Sequence, residues 1–161
     1  MITIRPATPA DIPALSNLHR ELHALHVDHE PHLFRFPSEP EWDTWFKDRT
    51  DAILSAPAEV LILAEMDGSP VGFVHLLLRN PPPLPIFTPR LFCSVEEIGV
   101  AAACQHCGAG QALMRAAEQW ARERGASTLE LSVHDFNAQA IAFYRKLGFQ
   151  FATHRMTLPV D

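Results

Sequence analysis

An α+β (α/β) fold, in which a mixed, mostly antiparallel twisted sheet carries helices on both faces, is what this sequence predicts. Three patterns point to it. Two β-rich runs, Val60 to Glu65 and Val71 to Leu78, flank the turn residues Asp67-Gly68, the chemistry of an antiparallel hairpin. Leu15, Leu18, Leu22 and Leu25 recur at helical spacing, as do Leu113, Ala116, Ala117 and Trp120. In the second half of the chain helices and strands alternate, which demands crossover connections.

The elements follow in order. Ile2-Thr3-Ile4-Arg5 alternates as a short strand stopped by Pro6, and Thr8-Pro9-Ala10-Asp11 caps a helix that runs to about Val27. After the break at Phe36-Pro37-Ser38-Glu39-Pro40, the spacing of Trp42, Trp45, Phe46, Arg49 and Ile53 predicts a second helix. The hairpin comes next. Asn80 to Pro85 is too rich in proline to sustain a ladder and is expected as extended loop; Phe92 to Val100 returns to strand. A helix is predicted from Gly108 to a stop at Gly125, then a strand over Thr128 to Val133. Asn137 caps a last helix ended by Gly148, and the alternation from Phe149 to Leu158 predicts a final strand.

At 161 residues, 47% of them hydrophobic, the chain suits a single domain over 1–161. A formal charge of -6 and a pI near 5.8 exclude a nucleic-acid footprint, which needs clustered surplus Lys and Arg. No apolar run reaches the roughly 18 residues that cross a bilayer, and the N-terminus does not read as a secretion signal. No membrane role is expected, and a cytoplasmic setting follows. The three cysteines form no extracellular disulfide framework.

Chemistry concentrates after the strand that ends at Val100. Gly108-Ala109-Gly110 at a helix start presents main-chain N–H groups without intrahelical partners, at the positive end of the helix dipole. A diphosphate fits such a place. A Walker loop is excluded because Gly110-Gln111-Ala112 lacks the lysine and hydroxyl, and a dinucleotide fingerprint is weakened by Leu113 at its third glycine and by seven residues between strand and glycines. His19, His23 and His26 share a helix stripe, yet no carboxylate or cysteine partner is fixed by sequence, so no metal site is assigned. Cys104 and Cys107 are spaced as in a redox motif at a helix N-terminus, outside a thioredoxin-like order of elements. Pro81 to Pro89 reads as a solvated loop, a specificity lid or a contact between copies.

Glu96-Glu97-Ile98-Gly99-Val100, then Gln105-x-x-Gly108-x-Gly110, then Asn137-x-x-Ala140-x-x-Phe143-Tyr144-x-x-Leu147-Gly148-Phe149, together resemble the acetyl-CoA-binding core of the GNAT N-acetyltransferase family. The opening Ile4-Arg5-Pro6-Ala7-Thr8 resembles that family's entry as well. The resemblance implies the GNAT acyl-CoA N-acyltransferase fold, with acetyl-CoA as co-substrate. It implies that Ile98, Gly99 and Val100 pair with the pantetheine arm, and that Gln105, His106, Cys107, Gly108, Ala109, Gly110 and Gln111 cradle the pyrophosphate. Asn137 would contact the CoA arm or hold splayed strands, and Tyr144 would lie by the thioester sulfur. Cys104 and Cys107 replace residues that are often aromatic or basic in the family, which leaves the main chain to bind the phosphates.

The implied reaction is direct attack of a primary amine of a small molecule on the thioester. An amine with a pKa near ~10.4 must lose a proton first. Glu96, four positions before Val100, is the first choice of base, with Glu97 second; strict alternation would send their side chains to opposite faces. A histidine of the α-helical stripe is a further base, and Tyr144 is the acid for the leaving thiolate. Acetylation of a protein N-terminus or lysine, and a non-catalytic acyl-CoA-binding module, are the alternatives. A homodimer is common for such folds.

Overall fold

In the computed structural model, which describes residues 1–160, five strands lie side by side in their chain order. They are β1 (Ile2–Pro6), β2 (Glu59–Met66), β3 (Ser69–Arg79), β4 (Phe92–Val100) and β5 (Leu129–Leu131). The first three pairings are antiparallel, and β4 with β5 is parallel. The helices are α1 (Ile12–His29), α2 (Glu39–Ser55), α3 (Ala109–Glu123) and α4 (Ala138–Lys146). The chain forms two units, Met1–Leu131 and a second from Ser132 onward. No helix of the described residues is long and apolar enough to cross a membrane.

Local chemistry explains the starts. Ser38 opens α2 with a capping box, its N–H and hydroxyl both donating to Glu41 Oε2 at 2.8 and 2.7 Å. Asp67 and Gly68 turn the hairpin with positive φ, as a two-residue connection requires. At the entrance to α1, Asp11 accepts from Thr8 N and Oγ1 and receives both Arg5 Nη1 and Nη2 at 2.8 Å. Arg5 also donates to Glu65 on β2. One guanidinium thus ties β1, β2 and the first helix together.

Alternation along the strands assigns the faces. Leu61, Leu63 and Phe73 pack with Leu15, Leu18, Trp42, Phe46 and Ile53 of α1 and α2. Gly72, one residue out of phase with Phe73, faces α3, for a Cβ there would lie 3.2 Å from Leu113 Cδ1. Helices therefore cover both faces. Trp42 is buried and its Nε1–H donates to Ser16 Oγ, so the largest side chain between α1 and α2 leaves no polar atom unpaired.

Two expectations are corrected. Residues 149–158 form no strand; the chain from 151 to 160 is exposed throughout. Alternation supplies a pattern but no partner, and a strand exists only through its ladder. The β5 strand is three residues long rather than six. In the second unit, α4 is capped as expected, Asn137 Oδ1 accepting from Ala140 N at 3.1 Å.

Two substitutions test this framework. Gly72→Ala places a Cβ 2.9 Å from the Gly99 carbonyl oxygen, a main-chain clash that costs about 1–3 kcal/mol and is read as a lower Tm. The Arg5 guanidinium holds the Asp11 carboxyl well below its usual range, so the stabilisation is complete at neutral pH and is lost as pH falls below ~3.9. Asp11→Asn is expected to lower Tm by about 2–4 °C at pH 7, and melts at pH 3 should show that difference shrinking.

Candidate active site

The pairing of β4 decides where a ligand can enter. Its ladder with β5 consists of Cys93, Ser94 and Val95 against Leu129, Glu130 and Leu131 and stops there. From Glu97 to Val100, β4 is paired through β3 alone among the described residues. Ala101 N donates to Val71 O on β3, so by alternation the N–H and C=O groups of Ile98 and Val100 point the other way, toward the bare edge. Gly99, between them, lies under Phe73: a Cβ would sit 2.9 Å from that ring.

Beyond β4, a 3-10 turn over Ala102–Cys104 leads into the loop before α3. His106 and Gly108 both take positive φ, 68° and 93°. At Gly108 no atom would obstruct a Cβ; the left-handed backbone itself is what calls for glycine. The first α3 bond is Ala112 N to Gly108 O, so the amides of Gly108, Ala109, Gly110 and Gln111 precede the ladder. Gln105, His106, Cys107 and Gly108 are exposed. Two amides of the expected cradle are already engaged, since Gln105 N donates to Ala102 O at 3.4 Å and Cys107 N to Cys104 O at 3.2 Å.

The two glutamates break the expected alternation. A register shift between His75 and Leu76 makes Glu96 an extra residue opposite β3, a β-bulge. Glu97 is paired with His75. Glu96 in turn meets Arg79, four residues from His75 and hence on the same face, with Nη2 at 3.0 Å and Nε at 3.2 Å from Oε1. Both carboxylates therefore look to the α1–α2 side, not to opposite faces. Burial pushes the Glu96 carboxyl up, but hydrogen bonds from Ser94 and Arg79 outweigh it and hold it below its ordinary value.

Glu97 sits in a cluster that sequence patterns did not assemble. Arg49 Nη2 on α2 donates to its Oε2 at 2.7 Å, and His19 Nδ1 on α1 lies 3.4 Å from the same oxygen. His75 Nε2 meets Glu59 Oε2 at 2.6 Å, with Arg49 Nη2 3.5 Å from its Nδ1. The signal that was available was His75 itself, a titratable residue in an apolar strand run. The His19 ring lies among Trp42, Trp45, Phe46 and Phe73 with centroids 5.4 to 6.0 Å away. Burial, aided by the charge of Arg49, pushes His19 down to about 3, so it is neutral at physiological pH. The remaining stripe histidines bond main-chain oxygens, His23 with Arg35 and His26 with Leu22, as does His29 with Leu25. Among the described residues no group of His, Cys, Asp and Glu could hold a metal ion.

In the second unit, Tyr144 lies between Phe143 and Phe149, with ring centroids 5.4 and 5.7 Å away. Burial pushes its phenol up to about 12, which keeps the proton on the oxygen at neutral pH.

The profile of the acetyltransferase (GNAT) family matches residues 18–149. The chain belongs to the GNAT acetyltransferase family. An aminoglycoside N(6')-acetyltransferase type 1 of Stenotrophomonas maltophilia is 29% identical over 152 residues, which is 92% of this chain and 86% of that protein. A streptothricin acetyltransferase of Streptomyces lavendulae is 48% identical over 58 residues, and that match spans 36% of this chain and less than a third of the relative, 31%. The crystal structure of a tetramutant of the BH1408 protein from Bacillus halodurans superposes with a TM-score of 0.91 at 24% identity, covering 98% of this chain and 99% of that one; it bears on the fold. The GNAT chain described here thus shares its fold with that structure, its own sheet being the five-stranded mixed one.

The cysteines provide a direct check of the loop. Cys93 is buried, which pushes its thiol up to about 11, whereas Cys107 is exposed and Cys104 half-buried. A thiol reagent at pH 8 should label Cys107 first and Cys93 only on unfolding, and Cys107→Ser should remove the fast phase.

Proposed function

We propose that this GNAT enzyme transfers the acetyl group of acetyl-CoA to a primary amine of a small molecule. The observation that carries it is the row of main-chain groups left open along Ile98 to Val100, followed by the amide-bearing start of α3. A pantetheine arm pairs with the first as an added strand, and the pyrophosphate rests on the amides around Gly108, Ala109 and Gly110, with Gln105, His106, Cys107 and Gln111 around it. The relatives' names favour a small acceptor, since they specify an aminoglycoside and streptothricin.

Glu97 is the general base in this scheme, in preference to Glu96. Both carboxylates meet an arginine, Glu96 with Arg79 and Glu97 with Arg49, but Glu97 is the one that stands with His19 next to Gly99 and the Phe73 ring. The amine loses its proton to Glu97, directly or through water, and its lone pair attacks the thioester carbon. The Val100 N–H stabilises the resulting oxyanion. As the C–S bond breaks the departing thiolate takes up a proton, the acid role that the resemblance to the family gives to Tyr144. His19, neutral, adds no positive charge to repel an incoming ammonium.

A thiol-release assay with acetyl-CoA across classes of amine tests the function; no release with any amine, together with no heat on titrating CoA, would overturn it. Glu97→Gln should lower kcat by roughly 100-fold or more with the KM for acetyl-CoA nearly unchanged, and Glu96→Gln should do far less. Tyr144→Phe should lower kcat by about tenfold or more; wild-type kcat would remove the acid role. Gly108→Ala, strained by about 1–2 kcal/mol in the left-handed region, should weaken CoA binding measured by calorimetry while leaving the acceptor KM in place.

A further inference from the structure

Glu59 and His75 take no part in the reaction as described, yet they form one of the shortest polar contacts of the first unit, at 2.6 Å. His75 is buried at the centre of β3, 5% exposed, and Glu59 begins β2. A carboxylate has no hydrogen to give, so the ring proton of His75 belongs on Nε2, where Glu59 accepts it. Nδ1 is then a lone pair. What faces it is Arg49 Nη2, 3.5 Å away, a group that can only donate. Both neighbours thus demand the same neutral tautomer, and burial keeps water from offering another. The same Arg49 nitrogen donates to Glu97 Oε2 at 2.7 Å. It carries two hydrogens, one for each acceptor.

We propose that Glu59 and His75 are positioning residues: Glu59 fixes His75 with its proton on Nε2, the Nδ1 lone pair orients the Arg49 guanidinium, and Arg49 holds the Glu97 carboxylate in place. This rests on Glu97 as the general base. Arg49 has long rotamer freedom to lose, and its guanidinium also lies 5.7 Å from the Trp45 ring, an alternative resting place for the cation. Without an acceptor at Nδ1 the guanidinium can shift toward that ring and take the Glu97 carboxylate with it. Replacing Glu59 with glutamine keeps the shape but lets the amide nitrogen donate to His75, which permits the opposite tautomer and turns an N–H onto Arg49.

Two readouts on the whole protein decide it. Long-range ¹H–¹⁵N spectra of the histidine-labelled wild type, with His75 assigned by its loss in His75→Gln, should show the Nε2–H tautomer, and in Glu59→Gln a mixture or the Nδ1–H form. The Nδ1–H form in the wild type, or no change in Glu59→Gln, would overturn the proposal, and the wild-type spectrum holds even if a variant fails to fold. Kinetically, Glu59→Gln should lower kcat between about 10- and 100-fold with the KM for acetyl-CoA unchanged, and should have little further effect in a Glu97→Gln background. An equal loss in both backgrounds would mark a merely structural role, and unaltered kcat in Glu59→Gln beside a depressed Glu97→Gln would refute the relay. Wild-type kcat in Glu97→Gln would instead remove the base assignment on which the relay depends.

Discussion

The parting of β4 from β5 after Val95 is the constraint on which the rest of the first unit turns. A strand interior to a sheet spends its hydrogen-bonding groups on two neighbours, and each group left dry and unpaired costs about 1–3 kcal/mol. From Ile98 to Val100 one side of β4 has no strand to pair with among the described residues, so its polar groups must meet water or a ligand. Past the bulge at Glu96 the β3 side stays in register from Glu97 to Ala101, which holds that open edge in place. An extended ligand chain therefore finds donors and acceptors at strand spacing, with the amides at the start of α3 following along the chain.

The two faces of the sheet are built from different materials. On one face α3 buries its own Leu113, Met114 and Ala117, all apolar, with Gly72 of β3 allowing close approach. Under α1 and α2 the apolar cluster of Phe73, Trp42 and Phe46 borders Glu97, Arg49, His75 and Glu59. Desolvating such charges seldom stabilises a fold, because the attraction between partners repays little more than the lost hydration. The costly groups thus lie on the side where the bulged carboxylates look, beside the apolar cluster of α1 and α2.

Periodicity made much of this fold legible. The hairpin over β2 and β3, the stripe of α1 and the glycine before α3 all rest on interactions within a few residues, which a linear pattern records directly. The final strand misled for the opposite reason: Phe149, Phe151 and Thr153 alternate, but a strand exists through its neighbour, and no pattern within 149–158 names one. Glu96 and Glu97 show the same limit. Alternation predicts opposite faces, and the bulge that cancels it arises from the register of β4 on β3, a relation between residues some twenty positions apart. The cluster of His19, Arg49, Glu59, His75 and Glu97 draws on five elements, so no local motif announces it, although a histidine at an apolar strand position is a visible anomaly.

Charge in that cluster bears on what it can admit. His19 is held neutral by burial and by Arg49, and His75 lies between an acceptor at one nitrogen and a donor at the other. The uncharged His19 ring adds no positive charge beside the Glu97 carboxylate. An ammonium is drawn to such a place, and a carboxylate close to an apolar ring wall can take its proton with little competing hydration. A charged His19 would set a cation 3.4 Å from the Glu97 carboxylate and weaken its pull on an ammonium. The aromatic enclosure of His19 by Trp42, Trp45, Phe46 and Phe73 is therefore an electrostatic device as much as a packing one, because excluding water from that ring is what keeps its charge at zero.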